Sequence, residues 1–171
     1  MKKFQTILFS LITAVTFVGC NSDNGDTNCV EDFTGALASS EEAFVGTWTL
    51  TAITAEQAVD ITDDNEDNAS EDIYAQYEAC EKDAAYTFES GRIYNFVQGQ
   101  NATGCTNKAT LSGTWKLSGQ TLSLTGSCTV QNLTLQFDSE FSEFSSTSII
   151  NILDVTGNTI QTNVTFTYSK S

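Results

Sequence analysis

From Gly46 onward the chain alternates. Trp48, Leu50 and Ala52 fall on one side of a two-residue repeat, and Thr47, Thr49 and Thr51 fall on the other. That is the pattern of a strand with one dry face. The same period returns at Ala85–Glu89 and Arg92–Val97 around a Ser90-Gly91 turn, and at Leu111–Leu117 and Thr121–Leu124 around Ser118-Gly119-Gln120. It returns again at Cys128–Phe137, then at Ser146–Val155, which turns at Thr156-Gly157-Asn158 into Thr159–Tyr168. Counting from Gly46 gives eight strands, and every link after the first is short enough to be antiparallel. The twenty-five threonines suit pleated surfaces. An all-β fold follows: an eight-stranded antiparallel up-and-down β-barrel, whose closure hides the strand edges. Trp48, Tyr86, Phe88, Tyr94, Phe96, Trp115, Phe166 and Tyr168 fall on the apolar side. They either fill such a barrel or line a ligand cavity, and small barrels are more often filled.

Two stretches break the alternation. Residues 56–83 carry eleven carboxylates, with Ile73, Tyr77 and Cys80 at i, i+4 and i+7 and Asn68 placed as a cap. These predict one short amphipathic helix inside the first, long connection. Ser39 with Glu42 three places on predicts a capped helical turn just before Gly46. Within the acidic stretch, Asp63, Asn65 and Asp67 open like a calcium loop. The twelfth position is Tyr74 instead of glutamate, and Asn68 stands where glycine belongs, so the EF-hand pattern fails. The three remain weak calcium candidates, and no metal site is expected. Phe137–Phe144 alternates aromatics with carboxylates, which reads as a strand pair with a wet and a dry face rather than a glycosidase acid pair.

The amino terminus reads as an address. Met1-Lys2-Lys3 precedes a mainly apolar run from Phe4 to Val18, too short for the ~20 residues of a spanning helix and flanked as a secretory signal is. Phe17-Val18-Gly19-Cys20 resembles a bacterial lipobox, with phenylalanine in place of the usual leucine. The resemblance implies cleavage before Cys20 and acylation of that residue. It divides the chain into a lipoprotein signal peptide (1–19), a lipidated flexible tether (20–40) and a barrel domain (41–171). The expected address is the bacterial cell envelope, as an outer-membrane lipoprotein on the periplasmic or the surface face. Acidic residues soon after Cys20 are similar to the export signal of surface lipoproteins in the Bacteroidetes group.

Length and charge narrow the function. A chain of 171 residues holds one domain of ordinary size. Without residues 1–19, five basic and 22 acidic residues remain, a formal charge of −17. That excludes phosphate-reading surfaces, so no nucleic-acid partner is expected. Histidine is absent, which removes Ser-His-Asp and Cys-His nucleophile systems and His-ligated metals. Setting Cys20 aside leaves Cys29, Cys80, Cys105 and Cys128, an even set in an exported chain. Three pairings are open, and the hairpins bring Cys105 equally near Cys80 and Cys128.

Val45-Gly46-Thr47-Trp48, Cys80-Glu81-Lys82-Asp83 before Ala85-Tyr86-Thr87-Phe88, then Cys105 and a second Gly113-Thr114-Trp115-Lys116-Leu117 follow in order. In this they resemble the lipocalin-like domain of bacterial envelope lipoproteins. That resemblance implies a barrel with a ligand pocket, and a Trp48 that closes the floor beneath a basic side chain of the last strand, here Lys170. It also implies a Cys80–Cys105 pairing, leaving Cys29 with Cys128. The expected function is a non-enzymatic, membrane-anchored binding module for a small apolar ligand, without a cofactor. The alternative is a solid-core surface protein whose acidic loop meets a protein partner.

Overall fold

The computed structural model describes residues 29–171. The segment expected to be a signal peptide, 1–19, and the expected lipidation residue Cys20 lie outside the described residues. The described residues form nine strands: β1 (Gly46–Val59), β2 (Ser70–Asp72), β3 (Ala85–Phe88), β4 (Ile93–Gln98), β5 (Ala109–Ser118), β6 (Thr121–Gly126), β7 (Thr129–Phe137), β8 (Glu143–Leu153) and β9 (Thr159–Lys170). The sheet order is β2-β1-β3-β4-β5-β6-β7-β8-β9, and β1 also pairs with β9. Eight strands therefore close antiparallel into the expected barrel, and β2 is an extra strand laid beside β1.

β2 has a physical cause. β3 covers the edge of β1 only from Gly46 to Thr49. Above it, Thr54 pairs with Asp72 and Val59 with Ser70, so a short polar segment satisfies backbone groups that would otherwise be bare. The single predicted helix is two four-residue pieces, α2 (Ile73–Gln76) and α3 (Ala79–Lys82), because Tyr77 turns to extended backbone between them. Its cap is Asp72, whose carboxylate accepts from Ala75 N, not Asn68. The early helix α1 spans Ser39–Phe44, one residue ahead of the predicted box, and Glu41 rather than Glu42 reaches back to Ala38 N at 2.8 Å.

The links divide the barrel into two ends. The floor end carries α1, the β3–β4, β5–β6 and β7–β8 links and the carboxyl terminus. The mouth end carries residues 60–84 and the β4–β5, β6–β7 and β8–β9 links. In this proline-free chain, aspartates shape several links. Asp83 accepts from the backbone N–H groups of Gly99, Asn101 and Ala102. Asp138 accepts from Ser142 and Glu143, and Asp154 from Thr156 and Asn158. Hydrogen bonds to the charged form hold all three carboxyls below their ordinary range. Gly113 lets β5 and β6 cross closely, since a Cβ there would lie 1.6 Å from Thr125 O.

Two disulfides, Cys80–Cys105 and Cys29–Cys128, staple the mouth end. From Cys29, residues 29–38 run as a strap across the barrel to α1. Phe33 N donates to Thr114 Oγ1 at 2.8 Å along the way.

Candidate functional site

The floor is built around rings. Phe44, Trp48 and Trp115 are wholly buried and Phe88 nearly so. Phe44, delivered by α1, lies within 6 Å of the rings of Trp48, Phe88, Trp115, Phe137 and Phe144. Each buried indole N–H is satisfied: Trp48 Nε1 donates to Phe44 O, and Trp115 Nε1 to Glu89 O. Lys170 Nζ stands 5.3 Å from the Trp48 ring centroid and donates to Ala43 O. The basic cover from the last strand is therefore in place.

A buried ion pair locks this floor. Arg92 and Glu41, 7% and 3% exposed, meet at 2.7 and 2.9 Å through two nitrogens. Arg92 also donates to Gly35 O, Ala36 O and Trp115 O, while Glu41 accepts from Leu117 N. One guanidinium thus ties together the strap, the plug helix and β5. Its hydrogen bond, reinforced by backbone donors, holds the Glu41 carboxyl down at about 2. The pair escapes sequence reasoning because 51 residues separate its members. The one available signal is that Arg92 is the only arginine.

The predicted aromatics separate by height. Trp48, Phe88 and Trp115 are floor. Above them Tyr86 packs on Phe96 at 4.7 Å and Tyr168 at 5.3 Å, and Tyr168 stacks on Phe144 at 5.1 Å. Burial pushes the Tyr86 hydroxyl up to about 12 and raises that of Tyr168 further. Tyr94 is buried, while Phe96 and Phe166 are only half-buried.

Nearer the mouth the inner face opens. Phe96 pairs directly with Leu111, so both point inward, yet Leu111 is 57% exposed. Leu133 and Ile150, inward by the same register logic, are also only partly covered. On the opposite side, α2 lays Ile73, Tyr74 and Tyr77 against the core beside β1, where Ile53, Ala55 and Val59 are buried. The result is a cup, with a packed base, one sealed wall and one accessible apolar wall.

Two grooves lie outside the cup. One of about 320 Å³ is lined by Leu37, Glu42, Val45 and Ser90 beside α1. The other, about 400 Å³, sits at the mouth rim between the acidic loop and the β8–β9 turn, with Asp60, Asn65, Glu66, Asp67 and Asp154 among its lining. Asn65 and Asp67 reach that groove, whereas Asp63 is not part of its lining. Asp60 and Asp64 spend their carboxylates on the loop itself, on Thr62, Asn68 and Glu66 N. Among the described residues, no group of three or more Cys, Asp or Glu side chains stands close enough to hold a metal ion.

Residues 21–171 match the family described as "Domain of unknown function (DUF5004)". The chain belongs to the DUF5004 family. No curated protein and no solved structure matches it. For this DUF5004 chain the family span begins at residue 21, so the strap and the barrel fall within one unit.

Proposed function

We propose that this DUF5004 domain is a lipid-anchored, non-enzymatic binding module of the bacterial outer membrane that takes a small apolar molecule in the mouth of its barrel. The reading rests on one observation: Leu111 faces inward beside Phe96 and is 57% exposed. A sealed core would have covered it, since burying a leucine side chain is worth about 1.5–3 kcal/mol. The anchor rests on the lipobox at Cys20. The test is native mass spectrometry of the protein extracted from its own envelope, beside a Leu111→Asp variant. A small molecule retained by the parent and lost by the variant supports the reading. A parent that carries acyl mass at Cys20 and no adduct, and that binds no apolar fluorescent probe, overturns it.

The 400 Å³ acidic groove favours a second reading, in which the rim meets a basic protein partner. A partner whose binding survives Leu111→Asp, and fails when Asp60, Glu66 and Asp67 are replaced by their amides, would select it.

A further inference from the structure

The ladder between β7 and β8 is short. Leu135, Gln136 and Phe137 pair with Ser146, Ser145 and Phe144, and there it stops. β8 nevertheless continues to Leu153, paired without interruption on its β9 side. Lys170 N donates to Ser142 O and Asp154 N to Asn158 O, so even-numbered residues turn their backbone groups toward β9. Asp138 N donates to Glu143 O, so odd-numbered residues turn theirs toward β7. By that alternation Ile149, Asn151 and Leu153 present N–H and C=O, and Thr147 its C=O, to a gap that no strand fills; the Leu135–Ser146 pairing takes the Thr147 N–H. All four are exposed, Ile149 at 70%.

Natural edge strands carry lysine, proline or a bulge to refuse such pairing. This one carries none: Thr147 to Leu153 is uncharged, and its register with β9 is regular. The facing stretch of β7, Thr129 to Thr134, is uncharged too. Charge returns at both ends of the opening, with Asp138, Glu140 and Glu143 below and Asp154 above.

We infer that the Thr147–Leu153 edge of β8 accepts an extended segment of another polypeptide, neutral and alternating in polarity over about seven residues and basic at its ends. Added as a strand, such a segment meets the free backbone groups along ~23 Å. Its basic ends face the bracketing carboxylates. A second copy of this chain is the poorer occupant, because its bracketing carboxylates would meet the same carboxylates here.

The test uses amide hydrogen exchange by NMR on residues 21–171, with and without a synthetic nine-residue peptide of alternating threonine and valine carrying lysine at each end. In the free protein, the amides of Ile149, Asn151 and Leu153 exchange fast while those of Ser148, Ile150 and Ile152 are held by β9. The peptide slows these three at least tenfold, and its glutamate-ended counterpart binds at least tenfold more weakly. Ile149→Lys and Asn151→Pro each remove the protection while the Ser148, Ile150 and Ile152 amides stay slow, so a misfolded variant is recognised as such. The inference is overturned by these three amides being already slow in the free protein, or by no protection at millimolar peptide. Protection that rises with protein concentration alone gives the edge to a second copy and also overturns it.

Discussion

The two ends of this barrel are held by different means. At the floor, rings, two satisfied indoles and the Glu41–Arg92 pair leave little apolar surface wet. At the mouth, Leu111, Phe96 and Leu133 stay partly open, and the links are tied by covalent bonds at Cys80–Cys105 and Cys29–Cys128. A closed end can rely on packing, because every ring it buries repays its ordering. An end that stays open forgoes that burial, and cross-links compensate by restricting the unfolded chain.

The largest effects are expected at the floor. Trp48→Ala removes a wholly buried indole and should cost about 4 kcal/mol in urea unfolding. Next comes Arg92→Met, expected to cost about 3 kcal/mol at neutral pH because Glu41 is left buried without its partner. This pair also sets an acid limit. Its folded carboxyl titrates at about 2, below the ordinary 4.5, so its contribution is complete above pH 4.5 and is lost as pH falls through about 2. Urea midpoints of parent and Arg92→Met should therefore converge between pH 4.5 and 2.

Cross-link removal probes the other end. Replacing Cys80 and Cys105 together by serine should cost about 2–3 kcal/mol in the same assay, by loosening a 25-residue loop. Smallest of all is Leu111→Ser at the open wall, which should shift stability by no more than about 0.5 kcal/mol while abolishing uptake of an apolar probe. A large loss of stability there would mean that the mouth is packed like the floor.

The barrel was legible because alternation and turn pairs are local signals; Trp48, Phe88 and Trp115 declare their face within five residues. β2 was not legible, since Ser70-Glu71-Asp72 has no strand propensity of its own and pairs only because β1 offers an uncovered edge. The helix around Tyr77 broke for a related reason: one apolar residue per turn cannot extend it past a four-residue piece. Which cysteines join came from resemblance, as spacing left three choices. Alternation told which side chains face inward and not how far the walls shut. That depends on ladder length, and the three-residue β7–β8 pairing depends on where the Asp138 turn places Phe144.

The strap starts at the mouth end. Cys29 is bonded to Cys128 in the β6–β7 link, so the leading peptide departs from the rim and not from the base. An acyl group on Cys20 would be nine peptide steps away, a leash of at most ~32 Å. Were the proposed anchor present, the mouth and not the arginine-locked base would be the end leashed to the lipids.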